Sequence, residues 1–137
     1  MKKLVLLFLL LFFTTACSAN KSYTCKLESD SVSQTIILTA TNDKVTSYQA
    51  LITYDLTELG LDATTVDSFV ESYQSAYQAE GLIIDISYDD SNQTITIDYD
   101  SKDNPNDEDN EFDLGLDSDT SLATIIESLE NSGMTCN

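Results

Sequence analysis

Apolar residues fall on alternate positions over much of this chain, and that period of two predicts strands. Tyr23, Cys25 and Leu27 alternate with polar residues, and Val32, Ile36, Leu38 and Ala40 share one parity. Tyr48, Ala50, Ile52, Tyr54 and Leu56 fall on one face, with Ser47, Gln49, Thr53 and Asp55 mostly on the other. Asn42-Asp43 carries turn chemistry between the second and third of these runs, so the three read as a meander. The period then changes. Val66, Phe69, Val70, Tyr73, Ala76 and Tyr77 recur at three and four residues, which predicts a helix capped by Thr64 or Thr65 and stopped at Gly81. Leu82, Ile84, Ile86 and Tyr88 alternate with Asp85, Ser87 and Asp89, and Asp90-Ser91-Asn92 turns the chain into Ile95, Ile97 and Tyr99, a hairpin.

Between Asp100 and Asp119 acidic residues and asparagines dominate around Pro105, a composition that cannot build a core and predicts an exposed loop. Within it Phe112, Leu114 and Leu116 alternate with Asp113, Gly115 and Asp117, the pattern of a short sixth strand. A last helix is expected to start near Asp119 or Thr120 and to bury Leu122, Ile125, Ile126 and Leu129. It should end at Gly133, with Met134 packing back as in a Schellman ending. The expected fold is α+β: an antiparallel sheet, made of a three-strand meander and a hairpin with room for a sixth strand, packed against two amphipathic helices. No repeat of the solenoid kind occurs.

The start of the chain has a different pattern. Met1-Lys2-Lys3 precedes ten unbroken apolar residues, Leu4 to Phe13, and then Thr14-Thr15-Ala16-Cys17. A permanent membrane helix needs about 20 apolar residues, so this run reads as the short core of a secretory signal. The last four residues resemble the lipobox of bacterial lipoproteins, with Thr14 where leucine is usual. The resemblance implies cleavage before Cys17 and its diacylation; an ordinary signal with a free cysteine near the cut is the other reading. The expected division is residues 1–16 signal, 17–22 tether and 23–137 a single domain with the acidic loop at 100–119. The chain is then anchored on the extracytoplasmic face of the cell membrane, and two acyl chains suffice for stable anchoring.

That address changes how the cysteines are read. With Cys17 taken by lipid, Cys25 and Cys136 form an even pair, expected to be a disulfide in an oxidising compartment. Two buried thiols are the alternative. A redox role has little behind it without a Cys-x-x-Cys motif or a histidine or arginine to lower a thiol pKa.

Charge and composition remove whole classes of chemistry. The formal charge of −18 becomes −20 without Lys2 and Lys3, which argues against nucleic acid and against contact with anionic headgroups except through the acyl chains. So much acid serves solubility, or else an acidic binding face. With no histidine there is no Ser-His-Asp or Cys-His arrangement and no His-rich zinc site. Without arginine or a Gly-rich phosphate loop nucleotide binding has no anchor, and no cofactor is expected. Carboxylates remain. Asp107, Asp109, Glu111 and Asp113 alternate as in a calcium loop, but Phe112 stands where such a loop needs glycine, leaving a weak calcium site or a solvated acidic loop. Asp89-Asp90 sits at a turn with adjacent side chains diverging, a poor arrangement for a glycosidase pair. Tyr73 and Tyr77 are core at helical spacing, or a ligand box.

The order of lipobox, three strands, amphipathic helix, charged hairpin, loop and the helix-Gly-apolar ending from Ser121 to Met134 resembles the YehR-like family of small bacterial lipoproteins. The members of that family are lysine-rich where this chain is acidic. The resemblance implies an α+β fold and no assigned activity, so it transfers no functional residue. The function expected is a non-enzymatic binding or accessory module meeting an envelope protein or small ligand. An acidic surface protein with weak calcium binding, or a carboxylate-based hydrolase, are the alternatives.

Overall fold

The computed structural model describes residues 19–104 and 120–137. They form an α+β arrangement of six strands and two helices. The elements in order are β1 (Lys21–Glu28), β2 (Val32–Thr41), β3 (Lys44–Asp55), α1 (Ala63–Ala79), β4 (Ile84–Asp89), β5 (Thr94–Asp100), α2 (Leu122–Asn131) and β6 (Thr135–Cys136). One antiparallel sheet holds all six strands in the order β4-β5-β3-β2-β1-β6. The meander and the second hairpin are as the alternation predicts. Asn42 and Asp43 both adopt positive φ, the backbone a two-residue hairpin turn requires, and they join Thr41 to its partner Lys44. β1 begins at Lys21, so the last two residues expected in the tether belong to the sheet.

Register explains which parity is inside. Cys136, Cys25, Ile36, Ala50, Tyr99 and Ile84 form one continuous row across all six strands. Because side chains alternate, every residue two positions along from this row shares its face. Ile36, Leu38, Ala40, Tyr48, Ala50, Ile97 and Tyr99 on that face lie in one buried cluster with Tyr77 of α1 and with Leu122, Ile125 and Leu129 of α2. Leu56, Val66 and Ile95 form a second, smaller cluster. Leu27, on the same parity near the end of β1, is 39% exposed, so the burial stops short of that corner.

Both helices end alike. Gly81 and Gly133 take positive φ; Leu82 N–H donates to the Tyr77 carbonyl and Met134 N–H to the Leu129 carbonyl. In each case the two apolar residues joined by that bond are buried, the hydrophobic contact of a Schellman ending. The starts differ from expectation. Asp62 caps α1, one carboxylate oxygen accepting from the N–H groups of Thr64 and Thr65, so the threonines are inside the first turn. α2 starts later than Asp119 or Thr120, with Ser121 as its cap accepting from Thr124 N–H. Leu122 N–H donates to Asp43 in the β2–β3 turn and fixes the start of α2 there.

The sixth strand in the described residues is Thr135–Cys136. The proposed strand at Phe112 to Leu116 lies outside the described residues. So does most of the acidic loop, but its first residues are a turn over 101–103 leading into Asn104, which is 7% exposed.

Candidate functional site

Cys17 and the candidate calcium residues Asp107, Asp109, Glu111 and Asp113 lie outside the described residues. Cys25 and Cys136 are bonded to each other. They are cross-strand partners of β1 and β6, beside Thr24 and Asn137, which exchange both backbone hydrogen bonds. In an antiparallel ladder the position next to such a pair is the non-hydrogen-bonded one, where Cα atoms come closest and a disulfide can bridge. The bond therefore ties β6 to the middle of β1, at Cys25 and Lys26.

The carboxylates of the β4–β5 turn are committed to the turn. Asp89 accepts from Ser91 N–H, Asn92 N–H and the Asn92 side-chain amide. The Asn92 amide, more than any other neighbour, holds its carboxyl below the ordinary value. Asp90 accepts from the Tyr88 hydroxyl and the Gln93 amide. Burial of the phenol, with the Asp90 hydrogen bond and charge, raises the Tyr88 pKa. This arrangement stabilises a loop with Gln93 at positive φ.

The aromatic side chains make a chain of ring contacts between β3 and α1. Tyr73 lies 4.5 Å from Phe69, 5.8 Å from Tyr77 and 6.4 Å from Tyr54, centroid to centroid, and Tyr48 lies 5.6 Å from Tyr99. Tyr48, Tyr77 and Tyr99 are buried and Tyr54, Phe69 and Tyr73 half-buried. These distances suit edge and offset ring packing, the role of core aromatics.

Two features had no sequence signal. Asn104 folds back on the entrance of β4: its Oδ1 accepts from Ile83 N–H at 2.6 Å and its Nδ2 donates to the carbonyls of Ile83 and Asp100. Ile83 would face Asp100 if the β4–β5 ladder ran one step further, so this amide completes the ladder in place of a backbone pair. On the sheet face away from the buried cluster, Asp85 stands directly opposite Asp98, which accepts both carboxylate bonds from Gln49 Nε2 at 2.8 and 2.9 Å. Like charges directly opposite destabilise a sheet. That pair becomes visible only once the register is known.

Among the described residues no group of three or more metal-capable side chains gathers, and no helix is long and apolar enough to cross a membrane. No family model, curated protein or solved structure matches this chain.

Proposed function

We propose that this chain is a lipid-anchored module of the extracytoplasmic membrane face, a binding or accessory protein without catalysis of its own. It carries a two-layer domain whose sheet packs against both helices. The observation that supports this reading is the lateral placement of the two sheet edges. β1, which receives the tether, is locked to β6 by the Cys25–Cys136 bond, and β4 forms the opposite border. Four strand spacings separate β4 from β1, about 19 Å at ~4.8 Å each, so one border is given to attachment and the other is held away from it.

The reading is tested by fractionating cells that produce the full chain and analysing the mature N-terminus by mass spectrometry. A diacylated Cys17 in the membrane fraction, lost in Cys17→Ser, is the expected result. Native protein released with an unmodified Cys17 would overturn it.

A further inference from the structure

β4 pairs with β5 through one edge, from Ile84 opposite Tyr99 to Asp89 opposite Thr94, without a bulge. Its other edge faces no strand among the described residues. Alternate backbone N–H and C=O groups along that edge therefore point outward, a template for another strand. Exposed edges are ordinarily blunted by charged side chains, lysine above all, by proline, a bulge, shortness or a covering segment. On β4 the only charges are the aspartates Asp85 and Asp89, which turn away acidic strands and leave a basic one favoured. β4 has neither lysine nor proline, runs six residues in regular register, and is bridged to β5 at its entrance by Asn104. At the other border β6 is two residues long.

The charges around this edge decide what it accepts. Asp85, Ser87 and Asp89 of β4 and Thr94, Thr96, Asp98 and Asp100 of β5 share the sheet face away from the buried cluster, and neither strand contains a lysine. Lys26 belongs to the same cross-strand row as Asp98 and Asp85, but four strand spacings from Asp85. That is about 19 Å, roughly twice the screening length at physiological salt, so it does little for these carboxylates. Lys102, exposed in the turn after β5, stands beside Asp100 at the Ile83 end and leaves Asp85, Asp89 and Asp98 in excess. A second copy adding β4 to β4 would bring Asp85 and Asp89 against the same residues of its partner, which is repulsive. An extended segment alternating lysine or arginine with apolar residues would place its cations over Asp85, Asp89 and Asp98. Its apolar side chains would fall on the side of Ile84 and Ile86.

We infer that the β4 edge takes such a basic extended segment of another protein as a seventh strand. The inference rests on the binding-module reading and gives it a partner class. Main-chain bonds supply the pairing and the aspartates select its sign, the division of labour in strand addition.

The test uses the full-length protein in detergent and a short peptide alternating valine and lysine, long enough to match the six residues of β4. The expected result is binding that slows hydrogen exchange at outward-pointing amides of β4 and weakens about tenfold or more in Asp85→Lys. A valine–glutamate peptide should not bind. A valine–lysine peptide with alternate N-methylated amides, keeping the charge but not the hydrogen bonds, should not bind either. Asp85→Lys removes a like-charge pair and should remain folded; Asp85→Asn provides an intermediate, with a smaller loss expected. The inference is overturned if the N-methylated peptide binds equally well, since attraction then needs no strand. It is overturned too if the outward β4 amides are already as protected as those of β5 in the free monomer, or if sedimentation finds a dimer that protects them. Acylation of Cys17 is read at the N-terminus and docking at the sheet edge, so either result can fail alone.

Discussion

Cys25 and Cys136 face each other across the β1–β6 ladder with their Cα atoms 4.0 Å apart, one position from the doubly bonded pair Thr24 and Asn137. The bond closes a ring spanning a sequence separation of 111 residues. In the chain-entropy picture such a ring contributes on the order of 4 to 5 kcal/mol, with measured values often lower. Cys25→Ala combined with Cys136→Ala should lower the unfolding temperature by roughly 10–20 °C and leave the native circular dichroism spectrum in place. Equal melting of the two proteins, or free alkylation of both thiols in the native state, would contradict the assignment.

Asn104 is expected to matter more than its place in an acidic stretch suggests. Asn104→Ala leaves Ile83 N–H and the carbonyls of Ile83 and Asp100 without their side-chain partner, a loss of about 2 kcal/mol given that water reaches Ile83, which is 59% exposed. Asn104→Asp should cost at least as much, because a carboxylate has no donor for the two carbonyls. Urea titration of the three proteins measures this, and a midpoint for Asn104→Ala equal to the parent's would rule the bridge out as a stabilising feature.

The cap of α1 makes a specific contribution to acid sensitivity. The Thr64 hydroxyl, foremost, and the N–H groups of Thr64 and Thr65 hold the Asp62 carboxyl below its ordinary value of 3.8. A carboxyl that is a stronger acid when folded gives its full stabilisation above the unfolded value and loses it as pH falls through the folded one. All three bonds reach one oxygen, Oδ1, so asparagine can accept them without titrating. Asp62→Asn should therefore show a flatter decline in unfolding temperature from about pH 5 to pH 3 than the parent. Parallel declines would show that the cap's charge contributes nothing.

The opposed carboxylates of Asp85 and Asp98 should make the sheet less stable than it could be. Asp85→Lys converts a like-charge pair into an opposite one and should raise stability by about 0.2–1 kcal/mol, more at low salt than at high. A chemical denaturation series at two salt concentrations would detect it. Destabilisation by the lysine, with the fold retained, would mean that the pair is not repulsive.

Strand and helix identity were legible because each is a local periodicity. The alternation around Ile36 or Ile97 and the three-four spacing from Val66 to Tyr77 need no knowledge of partners. Caps were less so: Asp62, Thr64 and Thr65 are all capable within four positions, and backbone geometry selects the first. β6 is too short to have a period, yet the pairing of Cys136 with Cys25 followed from cysteine parity. Placement of β5 beside β3 was not legible, since no local pattern distinguishes that neighbour from β1. Asn104 and the Asp85–Asp98 pair depend on the register of the β4–β5 hairpin, which the turn residues Asp90-Ser91-Asn92 mark without fixing to the residue.

The ring closed by Cys25 and Cys136 also changes what a protease can do. A single cut in the main chain anywhere between the two cysteines leaves both pieces joined through sulfur, so a nicked molecule keeps its mass and its attachment. A second cut between them frees only the excised middle piece, and parting the two ends takes a reductant that attacks one of the sulfurs, of which Cys25 is fully buried and Cys136 half-buried. If the chain is lipid-anchored as proposed, one nick between the two cysteines would consequently shed nothing, and electrophoresis would reveal the damage only after reduction.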